Sequence, residues 1–345
     1  MRTGCYTAIA TPFKENSVDY DGLGKLVEFQ IKYGITGIVA VGTTGESPTL
    51  DWEEHNRVIE TVAGLTRNKC ICIAGTGSNN TRETIAGTRH AAEAGADGVL
   101  LVDPYYNGPS SLEIRKEYVA PVAAAFPDME IIPYVIPGRT GTQLLPEDLA
   151  VLFRDHKNVA TVKEATGDIE NMKKTRACCG PEYTILSGDD GMTYDMMSNP
   201  DVKAAGVVSV VSNVIPCAMV DLVSLLAKGD ISGAQALLKL IEPLFGLVTV
   251  KTTETSPHGE VICRARNPLG LKTLMAVLGL PSGGCRPPMG KMTRNGLDKV
   301  LDIARTVHSA APEIFKPLAD FFDVDIDERL NSPNYCDGLY YENYE

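Results

Sequence analysis

The chain has 345 residues, 44% of them hydrophobic and 22% charged, with a formal net charge of −12. That composition is ordinary for a globular chain able to bury a large core, and the acidic balance argues against partners such as nucleic acid or an anionic membrane surface. Nine cysteines without framework spacing, five scattered histidines, no signal-peptide pattern and no unbroken apolar run of about 18 residues point to reduced thiols, no metal site, no membrane span and a cytoplasmic setting.

From residue 4 to about 228, short apolar runs alternate with amphipathic stretches. The runs at 5–10, 37–41, 70–74, 98–102, 130–136, 159–163, 183–186 and 205–210 read as strands. Helical periodicity falls near 20–33, 52–66, 81–94, 111–125, 146–154, 168–178, 190–198 and 217–227. Start and stop signals support it: Asp51 before Glu53 and Glu54, Asn80-Thr81 before Glu83, Pro146 at a helix start, and Gly34 and Gly95 just past helices. Eight β-then-α units joined by short connections predict an α/β fold, a closed parallel (β/α)8 TIM barrel over residues 1–228. A doubly wound open sheet is the rival, and it usually has fewer strands and a switch point. Residues 229–310 read as a C-terminal α-helical appendix with helices near 232–247, 268–278 and 293–309. Residues 311–345 lose periodicity, and nine acids against Lys316 and Arg329 make this tail acidic and, with Tyr335, Tyr340, Tyr341 and Tyr344, tyrosine-rich. It reads as a disordered or surface-wrapped end, with an interaction tail as the alternative.

Barrels of this kind carry their chemistry at the C-terminal ends of the strands. The second strand ends in Gly42-Thr43-Thr44-Gly45-Glu46-Ser47. It suits a small anion through backbone amides and hydroxyls, lacks the Gly-Lys-Ser/Thr ending of a phosphate loop, and equally fits a plain tight turn. The third ends in Gly75-Thr76-Gly77-Ser78-Asn79-Asn80, which starts like a dinucleotide fingerprint but lacks its third glycine and a ribose-binding acid. The fourth ends in Asp103-Pro104-Tyr105-Tyr106-Asn107, whose tyrosines either use their hydroxyls at the rim or pack against a neighbour. In the fifth, period two puts Tyr134 on the face of Ile132 and Ile136, and Arg139 follows in a Pro-Gly turn. A guanidinium fixed there suits a carboxylate, a surface ion pair being the alternative.

The sixth strand is the most informative. Val159, Thr161 and Lys163 share one face, read as the barrel interior, with Ala160 and Val162 toward the helices. Burial disfavours the ammonium and yields a neutral amine, the nucleophile of a Schiff base, unless an acid pairs with it. The seventh and eighth strands lead to Ser187-Gly188-Asp189-Asp190 and Gly206-Val207-Val208-Ser209, glycine-flanked turns able to offer backbone groups to a ligand. An amine that attacks a keto acid needs a proton shuttle, for which Tyr134 is placed by parity, with Thr43 and Tyr106 as relays; no metal or redox cofactor is required.

Six motifs in order, GTTGES at 42–47, AGTGSN at 74–79, PYYN at 104–107, YVIPGRTG at 134–141, KEATG at 163–167 and LSGDD at 186–190, make the chain similar to the 4-hydroxy-tetrahydrodipicolinate synthase (dihydrodipicolinate synthase) family from residue 1 to about 310. The resemblance implies condensation of pyruvate with L-aspartate 4-semialdehyde, on the route to diaminopimelate and lysine. It implies Lys163 as Schiff-base residue and Tyr134, Thr43 and Tyr106 as proton relay, Tyr106 being lent across a dimer interface. Thr44 and Val208, with the Gly188 turn, would meet pyruvate and Arg139 the semialdehyde. It further implies a homotetramer of two tight dimers. Ser47, Trp52, His55, Asn79, Glu83 and Tyr105 match an allosteric site for L-lysine, or else line a dimer interface. Two departures stand out: Val135 replaces the family's usual asparagine, with an expected effect on hydrogen bonding in the site, and the extension past about 310 lies outside the usual pattern. N-acetylneuraminate lyase and 2-keto-3-deoxy-sugar-acid aldolases share the lysine and tyrosine, and a non-catalytic small-molecule-binding barrel is the reading from another class.

Overall fold

The computed structural model describes residues 1–344. Eight strands form a closed parallel barrel: β1 (Gly4–Ala8), β2 (Gly37–Ala40), β3 (Ile71–Gly75), β4 (Gly98–Val102), β5 (Glu130–Val135), β6 (Thr161–Glu164), β7 (Thr184–Ser187) and β8 (Gly206–Ser209). Each expected run holds a strand whose ends fall within two residues of it. The barrel closes where β1 runs beside β8 in the register Gly4↔Gly206, a seam with no room for a Cβ at Gly206 against the Gly4 carbonyl.

The principal helices between strands are α1 (Tyr20–Lys32), α2 (Trp52–Thr66), α3 (Thr81–Ala94), α4 (111–125, with a π-helical middle at Ile114–Val119), α5 (Pro146–Asp155), α6 (Ile169–Cys179), α7 (Thr193–Ser198) and α8 (Pro216–Ala227). Their starts follow side-chain chemistry. Asp51 and Glu54 form a reciprocal capping box on α2, Asn80 accepts from the Arg82 amide at α3, and Gly95 ends α3 at φ 89°. Strand alternation divides the core in two. Tyr6, Val39, Ile73, Leu100, Ile132, Tyr134, Leu186 and Val208 fill the barrel, while residues such as Val99, Leu101, Val135 and Val162 pack outward under the helices. Val159 corrects one expectation: it belongs to the outer layer, because it still lies in the turn that bonds its amide to His156, and the period-two alternation begins only at Thr161.

The appendix is not wholly helical. After α9 (Ile231–Phe245) the chain forms an antiparallel hairpin, β9 (Thr249–Ser256) and β10 (Gly259–Arg266), before α10 (Leu269–Val277) and α11 (Arg294–Ala310). The ribbon is rich in Thr, Lys, Glu and Arg and half exposed, and its longest apolar run, Val261-Ile262-Cys263, is only three residues. Extended by a turn to Val248, α9 is long and apolar enough by length and composition to cross a membrane, although Lys239 and Glu242 break its apolar run. In the fold, α9 packs against α8 and α11.

Of the two states expected for the tail, the structure shows the surface-wrapped one, with regular elements of its own. It carries α12 (Lys316–Phe322) and α13 (Ile326–Asn331), and Tyr340–Tyr341 pairs in parallel with Met292–Thr293. Phe315, Leu318, Ile326, Leu330 and Cys336 are buried, and the Phe321 and Phe322 rings each lie 5.2 Å from Phe29 of α1. The tail is thus wrapped on the barrel by its few apolar residues, with the acids among the described residues outward. All nine cysteines are unpaired thiols.

Candidate active site

Lys163 ends β6 in register with Tyr134 on β5. Its side chain is 5% exposed, and its Nζ lies 3.9 Å from the centroid of the Tyr134 ring. Burial, reinforced by the Arg139 charge and opposed by Asp190, lowers the amine from 10.5 to about 7. No ion pair within 4.0 Å involves it among the described residues. The flexible end of Lys163 also needs a bare neighbour: a Cβ at Gly188 would stand 3.2 Å from its Cε and 2.7 Å from the Ala165 methyl.

Tyr134 is 4% exposed, and burial raises its phenol to about 12 while Arg139 and the Thr43 hydroxyl pull the other way. The phenol is therefore neutral near pH 7, able to give a proton and take it back. A cavity of about 230 Å³ opens in front of it, walled by Gly42, Thr43, Ser47, Tyr105, Tyr134 and Arg139 among others. Lys163 is not on that wall; it lies against the Tyr134 ring, which is. Val208 shares the barrel interior with Tyr134 and Leu186. Val135 turns to the outer layer, the face opposite Tyr134, so its side chain stands away from the site's hydrogen bonding.

The Gly42–Ser47 turn is held from the appendix. Val41 (φ 47°) and Glu46 (φ 56°) are both left-handed, a costly conformation for a β-branched residue that persists only where the surroundings enforce it. The enforcement is visible. Thr44 Oγ1 accepts from Asn267 Nδ2 at 3.0 Å. Lys272 Nζ of α10 donates to Glu46 Oε1 at 2.6 Å and to the Thr11 carbonyl at 2.8 Å, and the Arg286 amide donates to Glu46 Oε2 at 2.9 Å. Both side chains of the Lys272–Glu46 pair are fully buried. Because the Thr44 oxygen is used as an acceptor, its O–H remains free to donate.

The other residues singled out in the sequence are placed unevenly. Tyr106 is 74% exposed and does not line the cavity, whereas Tyr105 does. Asn79 sets that tyrosine turn, its Oδ1 accepting from the Tyr105 and Tyr106 amides at 2.8 and 3.1 Å. Glu83 accepts from Ser78 Oγ at 2.6 Å. Trp52 and His55 of α2 stand with ring centroids 5.1 Å apart; Trp52 is 45% exposed, while burial takes His55 down to about 4, leaving it neutral. Ser47 is on the cavity wall with Tyr105.

A family model, the dihydrodipicolinate synthetase family, matches residues 1–307. The chain belongs to the dihydrodipicolinate synthetase family. Curated relatives include the 4-hydroxy-tetrahydrodipicolinate synthases of Geotalea daltonii, 40% identical over 88% of this chain and 98% of its own length, and of Leptospira biflexa, 39% identical over 85% and 93%. Among solved structures, the 4-hydroxy-tetrahydrodipicolinate synthase of Methylacidiphilum fumariolicum superposes with a TM-score of 0.83 at 35% identity, covering 91% of this chain and 98% of that one. The Cyanidioschyzon merolae enzyme with lysine bound superposes with a TM-score of 0.80 at 31% identity, covering 88% and 98%.

Within this synthetase-family barrel, sequence reasoning missed the supporting groups. Asp190, inside the LSGDD motif, is buried and accepts from the Val210 and Val211 amides at 2.9 and 3.1 Å; burial lifts its carboxyl to about 6. It ties the β7 turn to the end of β8. Asn267 and Lys272 carried no signal, because their partners lie more than 220 positions away.

Proposed function

We propose that this chain catalyses the 4-hydroxy-tetrahydrodipicolinate synthase reaction, joining pyruvate to L-aspartate 4-semialdehyde through a Schiff base on Lys163. The observation that carries the reading is the unpaired, buried Lys163 amine, lowered to about 7 and set against Tyr134. The neutral amine adds to the keto carbon of pyruvate and water leaves, giving an iminium that withdraws electrons from the methyl carbon. That carbon loses a proton, and the resulting enamine attacks the aldehyde carbon, whose oxygen takes a proton. The semialdehyde's own amine then adds to the re-formed iminium carbon, closing a six-membered ring and expelling Lys163 as the free amine. Tyr134 carries these protons, passing them through Thr43 toward solvent. The Gly42–Thr44 turn holds the pyruvate carboxylate with the free Thr44 hydroxyl, Gly188 beside the Lys163 side chain and Val208 in the barrel interior flank the adduct from behind the cavity wall, and Arg139 meets the carboxylate of the semialdehyde.

Tyr106 is the outlier of the relay, and its exposure supports its serving a partner subunit's site, in a homotetramer built from two dimers. Ser47, Trp52, His55, Asn79, Glu83 and Tyr105 form the candidate site for L-lysine as feedback inhibitor, a reading supported by the lysine-bound relative. The enzyme would work in the cytoplasm, without a metal or redox cofactor.

Borohydride reduction with pyruvate tests the core of the reading: mass spectrometry should find one adduct, on Lys163, and condensation should follow with L-aspartate 4-semialdehyde. An unmodified Lys163, or a preference for a sugar-derived aldehyde, would overturn it. Millimolar L-lysine should slow initial rates in the parent enzyme and leave Trp52→Ala unaffected; an uninhibited parent enzyme removes the feedback site.

A further inference from the structure

A second cation stands beside the turn that carries Arg139, just outside the cavity wall. Arg266 is the last residue of β10, the hairpin strand that leads into Asn267. Its Nη1 donates to the carbonyl of Gly138 at 3.3 Å, and Gly138 is the residue before Arg139. On its other side, Asn267 is pinned to Thr44. Arg266 is therefore tied, one residue away in each direction, to the turn that carries Arg139 and to the turn that carries Thr44. Both guanidiniums are half-buried, and neither forms an ion pair with an acid among the described residues. The two feel one another: Arg266 is among the groups that, after burial, lower Arg139. Two neighbouring cations without an anion repel, and the cost is relieved when a carboxylate enters between them.

We propose that Arg266, supplied by the appendix hairpin, is a specificity-determining residue that with Arg139 forms a two-guanidinium clamp for the carboxylate of the incoming aldehyde. This rests on the reading of the barrel mouth as the site where an aldehyde meets a Lys163-bound keto acid. It assigns the hairpin a purpose: β9 and β10 carry a cation to the mouth, so the appendix contributes to substrate choice as well as to holding the Gly42–Ser47 turn. The Gly138 carbonyl takes only part of a guanidinium with five donors, and the rest stay available to a ligand.

The test is steady-state kinetics of Arg266→Ala and Arg266→Lys, at saturating pyruvate, with L-aspartate 4-semialdehyde and with the uncharged glyceraldehyde. Removing one charge-assisted contact should lower kcat/KM for the semialdehyde about tenfold, mostly through KM, and leave glyceraldehyde within about twofold. The lysine variant should recover part of the loss, and the pyruvate KM and the borohydride adduct on Lys163 should not move. Equal losses with both aldehydes, or a displaced pyruvate KM, would show a merely structural role and overturn the proposal. If the parent enzyme ignores the semialdehyde but prefers another carboxylated aldehyde, and Arg266→Ala erases that preference, the clamp stands while the synthase assignment fails. A parent enzyme with no preference for carboxylated aldehydes, or with no aldehyde reaction at all, ends the clamp.

Discussion

Two lysines lie buried in this molecule, one at the end of β6 and one in α10, and they do opposite work. Lys272 is fully buried but finds Glu46 at 2.6 Å and the Thr11 carbonyl at 2.8 Å. Burial lowers its pKa and Glu46 pulls it back, so it serves as one half of an ion pair. Lys163 is almost as buried and has an aromatic face in place of an acid; the nearby Arg139 adds to the effect of burial and Asp190 only partly offsets it. Burial alone therefore does not make a nucleophile. Withholding the counter-charge does, and the barrel interior is where the fold can withhold it.

The comparison can be broken in four ways. Lys163→Ala should remove the borohydride adduct and lower kcat at least about 10⁴-fold, whereas Lys272→Met should still give an adduct, because the nucleophile is intact. If Lys272→Met loses the adduct and Lys163→Ala keeps it, the roles are reversed. Tyr134→Phe should keep Lys163 buried yet lower kcat roughly 10²- to 10⁴-fold, showing that an unpaired amine without a proton carrier is a poor catalyst; an unchanged rate would release Tyr134 from the mechanism. Lys272→Met should cost about 3–5 kcal/mol in urea unfolding, since it strands a buried carboxylate, and adding Glu46→Gln should recover much of it. A loss below about 1 kcal/mol would mean that the pair is not held as ions.

The smallest effect is in pH. Below about 7 the Lys163 ammonium is trapped in a site that disfavours it, and adduct formation should rise with pH through about 7 rather than through 10.5. For stability the sign is the same. Between about 7 and 10.5 the unfolded lysine binds a proton that the folded one does not, so stability contributed at this site grows with pH. The advantage of Lys163→Met over the parent chain should accordingly shrink by up to about 1.4 kcal/mol per pH unit across that window. A pH-independent difference would contradict an unpaired amine.

Much of the barrel was legible in the sequence because its rules are local. Strand parity placed Tyr134 inside the barrel, and the capping residues at Asp51 and Asn80 marked α2 and α3. Parity failed at Val159, where the strand had not yet begun. The hairpin escaped notice because a half-exposed polar ribbon alternates in burial without alternating in apolar character. For the tail, composition leaves a disordered and a surface-wrapped end both open, and Phe315, Leu318 and Leu330 decide for the second by docking it on a surface already formed.

The sequence by itself determined the order of strands and helices, the inward lysine and tyrosine, and the family. Hydrophobic period, caps and short motifs are all written within a few neighbouring residues. Only the tertiary structure decided that Asn267, Lys272 and Arg266 reach the barrel mouth, that Glu46 meets a cation while Lys163 is denied an anion, and that Tyr106 stands in solvent. Those are matters of which distant groups meet in space, and charge balance in a buried site depends on that meeting.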